Sequence, residues 1–192
     1  MRAKLSDRID QRPELRRAYL DSIRREADVD APNIVLVFVD DMGHGDLSCF
    51  GSEAIDTPHL DQLAADGVKL TSFYASSPVC SPSRFGCLTG RYPTRGFIHG
   101  VFFPSSTPMG MGINRAFFPR GVNGILPDEI TVADALRSAG YRTGIFGKWH
   151  LGDRSPHLPN EHGFDHFFGS YYSNDMEPYA VYRNDRIAIE AP

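Results

Sequence analysis

Two aspartates stand side by side at Asp40-Asp41, directly after the apolar run Ile34 to Val39. Like charges this close raise one another's pKa unless a cation neutralises them. A hard divalent ion takes carboxylate oxygens readily, and Gly43 and Gly45 leave the backbone free to turn around it. A solvated strand end or helix cap is the competing reading, and the pair alone does not decide. The second group is Cys80-Ser-Pro-Ser-Arg84, running on to Cys87-Leu-Thr-Gly90-Arg91. With Ser81 as cap and Pro82 in the first turn, a short helix starts there, Cys80 lies at the positive end of its dipole and Arg84 follows one turn later, an arrangement suited to an anion. An ordinary packed thiol is the alternative. A thiolate phosphatase would want Arg at position 86, which is Gly. The third group is Lys148-Trp149-His150 at a predicted strand end, where a Lys and a His flanking a Trp favour a site over packing. His157, His162 and His166 form no helical i, i+4 pair, so a metal reading of them is weak.

The elements that must position these groups alternate. Ile34 to Val39 has no polar alternation and is rich in β-branched residues, the pattern of a central strand covered on both faces. Thr57 as N-cap, Pro58 in the first turn and Gly67 as terminator predict a helix, followed by a strand at Val68 to Tyr74. Thr131 to Asp134 reads as a capping box opening a helix closed by Gly140, and Tyr141 to Phe146 as the next strand. Repeated strand and helix argue for an α/β layer fold with a mostly parallel sheet, whose ligands collect at the carboxyl ends of the strands. Between Gly96 and Gly124 lies a Gly-, Pro- and Phe-rich stretch without helical or strand period. Its Phe97, Phe102, Phe103, Phe117 and Phe118 read either as an aromatic wall or as a satellite core. Residues 1–31 carry eight basic and seven acidic side chains. Leu15, Ala18, Tyr19 and Ile23 give them one apolar helix side, and the segment is read as a peripheral helix and linker.

With 192 residues, one domain is expected, and a net charge of -4 disfavours nucleic acid and anionic membrane surfaces as partners. No apolar run approaches the ~20 residues of a membrane span, and the charged first 30 residues lack a secretory core. A cytoplasmic location is expected, with a periplasmic or secreted one if the true start lies upstream. Three cysteines, Cys49, Cys80 and Cys87, describe neither a disulfide scaffold nor a structural zinc site.

Cys80-Ser-Pro-Ser-Arg84 with Leu88-Thr89-Gly90-Arg91 resembles the signature of the type I sulfatases, whose cysteine is oxidised after translation to formylglycine. Asp40-Asp41, Thr57 to Asp61, Gly147 to Gly152, His162 to Asp165 and Tyr172 to Asp175 resemble the family in order and approximate spacing, from about Pro32 to the chain end. The resemblance implies an alkaline-phosphatase-like α/β sandwich and an arylsulfatase-like hydrolysis of sulfate monoesters. It implies that Asp40, Asp41 and the converted Cys80 hold a divalent cation, calcium first and magnesium as alternative. Cys80 then supplies the nucleophile, Arg84 holds the formylglycine, Lys148 binds sulfate and steadies the aldehyde hydrate, His150 hydrogen-bonds that hydrate and Ser173 contacts sulfate. One hydroxyl of a hydrate can attack sulfur. The other, deprotonated by a base such as His150, can collapse to the aldehyde and eject sulfate.

Further ligands known in the family have no counterpart in this sequence. The expectation is therefore the N-terminal portion of a sulfatase catalytic domain over residues 32–192, the sheet incomplete on its C-terminal side. Alone it should have little activity and depend on a partner chain, such as a separate C-terminal sulfatase fragment, besides a formylglycine-generating enzyme and a small sulfate ester. A phosphonate or phosphate ester hydrolase of the same superfamily, and an inactive remnant kept for binding, are the competing readings.

Overall fold

A computed structural model describes residues 12–118 and 123–190. The chain divides into two compact units, Ala31–Tyr74 and the remainder. In Ala31–Tyr74 no residue is buried. A polar knot holds it instead. Asp61 accepts from Ser48 Oγ at 2.7 Å, from the Cys49 amide at 2.8 Å and from Thr57 Oγ1 at 3.1 Å. Helix α1 will denote Arg12–Ser22 and α2 Pro58–Asp66. Thr57 occupies the predicted N-cap of α2, but its hydroxyl accepts from the Ser48 amide and not from the helix.

The two strands predicted in this unit do not form. Ile34 to Val39 is non-regular chain with Val35 85% exposed, and Val68 to Tyr74 is likewise exposed. An apolar run becomes a central strand only where neighbouring strands pair with it and layers cover both its faces, and sequence pattern alone cannot supply those neighbours.

The larger unit holds the core. α3 spans Cys80–Thr89, α4 Pro108–Phe117 and α5 Val132–Ser138, and the strands are β1 Gly144–Phe146, β2 His166–Gly169, β3 Ala180–Arg183 and β4 Arg186–Glu190. The capping box of α5 forms as predicted. Thr131 Oγ1 accepts from the Asp134 amide at 3.0 Å, and Asp134 accepts from the Thr131 amide at 3.1 Å. The predicted strand at Tyr141 to Phe146 shortens to β1. The sheet runs β1-β2-β3-β4, with β1 and β2 parallel and the other two pairings antiparallel. The expected α/β layering is present, but these strands are not mostly parallel: only β1 and β2, joined by a long crossover, pair in parallel, whereas the shorter β2–β3 connection and the tight β3–β4 turn join antiparallel neighbours.

Trp149, Phe85, Phe102, Phe118, Phe167 and Leu151 are at most 1% exposed and form the centre of the core. Each such side chain contributes roughly 1.5–3 kcal/mol by burial. The segment between Gly96 and Gly124 is anchored in that core and contains α4, which the sequence reading missed because Gly110 and Gly112 obscure its period. The overlooked signal was Thr107-Pro108, the same cap and first-turn pair as Thr57-Pro58; here Thr107 Oγ1 accepts from the Gly110 amide at 3.0 Å. Phe102 and Phe118 stack at 4.4 Å between centroids inside the core, whereas Phe117 is exposed, so these rings form no continuous wall.

The apolar side expected of α1 is not buried either. No residue of α1 is buried, and the helix docks through Arg16 on Asp134 at 2.7 Å and Arg12 on Asp128 at 3.2 Å.

Candidate functional site

Helix α3 begins one residue before the predicted cap. Val79, in an extended conformation, is the N-cap, and half-buried Cys80 sits in the first turn, at the positive end of the helix. The Ser81 hydroxyl is not a cap. It accepts from the Phe102 amide at 3.1 Å, which otherwise would be a buried donor without an acceptor. Phe85 plants the helix in the core, and Gly86 is required because a Cβ there would overlap Ser76. One turn after Cys80, Arg84 Nη1 donates to the Lys148 carbonyl at 2.5 Å. Arg91, closing the motif, pairs with the buried Glu129.

Lys148 and His150 are carried by an extension of the β1–β2 pairing. The amides of Gly147, Trp149 and His150 donate to the carbonyls of Phe168, Ser170 and Tyr171 at 2.8–2.9 Å. Gly147 has φ 106°, a conformation that favours glycine, and a Cβ on Gly169 would overlap the Gly147 carbonyl, so the close approach of the two segments requires glycine at 169. Trp149 is 1% exposed and its Nε1 donates to the His157 carbonyl at 2.9 Å, which pins the segment. His150 follows in the left-handed region at φ 57°, a conformation that costs energy in a non-glycine residue and is concentrated at functional sites. Its ring is fully buried, Nε2 lies 2.9 Å from the Phe102 carbonyl, and Tyr172 stands edge-on to it at 5.5 Å. Burial pushes the Tyr172 phenol up, so it stays protonated beside the imidazole.

Lys148 Nζ donates to Ser173 Oγ at 3.3 Å, so one hydroxyl and one ammonium share a small surface. Hydrogen-bonded to Ser173 is Asp175, the last residue of the Tyr172 to Asp175 run, whose type and spacing alone suggest no role. The Ser173 hydroxyl holds its carboxyl below the usual carboxylate range, and the Lys148 ammonium acts in the same direction.

The larger unit carries Cys80, Arg84, Lys148, His150 and Ser173, and it joins Arg84 to the Lys148 carbonyl and Lys148 to Ser173, with Cys80 on the helix of Arg84. Asp40 and Asp41 belong to the smaller unit, Asp41 also left-handed at φ 55°. Among the described residues no group of three or more His, Cys, Asp or Glu side chains could hold a metal ion. His157 and His162 are engaged with main-chain carbonyls, His157 Nδ1 with Ile125 at 2.7 Å and His162 Nε2 with Pro156 at 3.1 Å, which accounts for both as structural residues.

A family model described as sulfatase matches residues 32–188. The chain belongs to the sulfatase family. It is 47% identical to human arylsulfatase A over 150 residues, covering 77% of this chain and 27% of that protein. To rat steryl-sulfatase it is 42% identical over 157 residues, covering 77% of this chain and 25% of the relative. A solved structure described under the metabolism of multiple glycosaminoglycans by Bacteroides thetaiotaomicron aligns with TM-score 0.66 and 36% identity, over 81% of this chain and 32% of that one. The sulfatase chain thus spans about a quarter of the length of the curated relatives it matches, and its α/β architecture is part of an alkaline-phosphatase-like fold. Sulfatases generally use formylglycine and a divalent cation. No helix among the described residues is long and apolar enough to cross a membrane.

Proposed function

We propose that the protein containing this chain hydrolyses sulfate monoesters, arylsulfatase-like, with residue 80 as nucleophile after oxidation to formylglycine by a formylglycine-generating enzyme. The observation that carries the reading is the tie from Arg84, one turn into the Cys80 helix, to the main chain of Lys148, whose own side chain meets Ser173. Three elements remote in sequence converge on groups suited to an anionic ester.

Formylglycine, when formed, supplies a hydrated aldehyde with one hydroxyl to attack sulfur and one to lose its proton as the aldehyde returns. Around it this chain's residues have separate tasks. Arg84 bridges residue 80's helix to the Lys148 segment. Lys148 and Ser173 donate to the sulfate oxygens, where charge grows in the transition state. His150 Nε2 faces a carbonyl, which can only accept, so Nε2 carries the proton and the neutral ring keeps Nδ1 as its basic atom. That atom accepts the hydroxyl proton. Asp40 and Asp41 are proposed as two oxygen donors to a divalent cation, calcium in preference to magnesium. Two carboxylates are well short of the six to eight oxygens calcium takes, so the described residues do not fit a complete cation site.

The test pairs two measurements on the chain expressed in a host able to make the modification. Intact mass should show the loss expected when the Cys80 side chain becomes an aldehyde, absent in Cys80→Ala. Aryl sulfate should be turned over in preference to aryl phosphonate and phosphate esters by the full-length protein, and only weakly by this chain. A retained thiol at residue 80 in such a host overturns the reading, and preference for the phosphorus esters replaces it with the superfamily alternative.

A further inference from the structure

We propose that Ser81 is a positioning residue for His150, acting through the main chain of Phe102; the functional meaning of this rests on the role given to His150 above. His150 is fully buried, and the plane of its ring and the nitrogen that bears its proton are set by the Phe102 carbonyl, 2.9 Å from Nε2. The position of that carbonyl is itself controlled. The amide of the same residue donates to Ser81 Oγ at 3.1 Å, and both Ser81 and Phe102 are 0% exposed. At the next residue, the Phe103 amide donates to Asn114 Oδ1 at 2.9 Å, and Asn114 Nδ2 donates to the Phe103 carbonyl at 2.8 Å.

All four polar main-chain groups of residues 102 and 103 are thus met by side chains, and those side chains come from three places. Asn114 fastens the segment to α4. Ser81 fastens it to α3, directly beside Cys80, and His150 closes the other end. One residue, Phe102, with its amide on Ser81 and its carbonyl on His150, therefore refers the acid-base histidine to the helix that carries the nucleophile position. Without the Ser81 hydroxyl the Phe102 amide becomes a buried unsatisfied donor, and the segment must shift to relieve it, taking the carbonyl that His150 reads. The Ser81 hydroxyl, by holding the Phe102 main chain, thus selects the tautomer and ring orientation of His150.

The experiment is nitrogen NMR of the chain labelled with 15N-histidine, with the His150 signals assigned by their loss in His150→Gln. In the wild-type chain, neutral His150 should show the Nε2–H pattern. In Ser81→Ala both ring nitrogens should move toward the values averaged between tautomers, while Ser81→Thr, which keeps the hydroxyl, restores the wild-type pattern. Ser81→Cys, nearly the same size with a weaker acceptor, carries the test should alanine prevent folding, and should move the signals in the same direction. An Nδ1–H pattern in the wild type overturns the proposal without any variant, and so does a wild-type pattern retained in Ser81→Ala or Ser81→Cys. None of these readouts needs residue 80 converted or sulfate released, so failure of the sulfatase reading and failure of this one are told apart.

Discussion

Lys148 and His150 lie on either side of a tryptophan whose burial holds both. Lys148 reaches Ser173, whereas His150 turns into the core through a left-handed backbone. If Lys148 stabilises charge on sulfate, Lys148→Ala in the full-length protein should lower kcat/KM for aryl sulfate on the order of 10²–10³-fold, with residue 80 still converted; steady-state kinetics beside intact mass checks this. His162 makes the opposite kind of prediction, about stability. Burial pushes its imidazole down to about 4 from an ordinary 6.5, so the fold keeps it neutral. The unfolded chain takes up the proton first as pH falls. Stability is therefore full above about pH 6.5 and declines toward pH 4, by ~3 kcal/mol in all at ~1.4 kcal/mol per unit. Melting temperature measured across that range should fall in the wild type and fall less steeply in His162→Gln.

At the scale of elements, the capping box of α5 and the helix at Pro58 were legible because each depends on residues within one turn. Helix α3 was legible too, yet the role of Ser81 was not, since its partner is 21 residues away. The segment around α4 shows the same limit. Its glycines hide the period, and what orders it is Asn114, whose amide group grips both sides of Phe103. Asn114→Ala should cost about 1–3 kcal/mol in chemical denaturation and speed amide exchange at Phe103, because a half-buried main-chain donor and acceptor lose their partner together. Exchange at Phe103 unchanged from wild type would contradict that account.

At the scale of the whole chain, the two units are built on different principles. The larger has an aromatic core; the smaller, Ala31–Tyr74, buries no residue and is held by Asp61 and its hydroxyl and amide partners. Its apolar run lies in the open, with Val35 85% and Val37 78% exposed. Exposed apolar stretches of this kind drive association. The wild-type chain should scatter light and bind a hydrophobic dye, and Val35→Lys with Val37→Lys should reduce both without changing the melting of the larger unit.

What the sequence by itself determined is the inventory: the Cys80 to Arg91 motif that marks a sulfatase, the acidic pair, Lys148 and His150, the helices that begin near Pro58, Cys80 and Val132, and the Thr131–Asp134 capping box. Such features are short-range, written in residue type and spacing. What only the tertiary structure decided is which of them meet. The Arg84 tie to the Lys148 carbonyl, the Phe102 main chain held between Ser81 and His150, and the failure of Ile34 to Val39 to become a strand all depend on distant partners. A hydrogen bond or a buried face is a property of two surfaces, and a local pattern specifies only one of them.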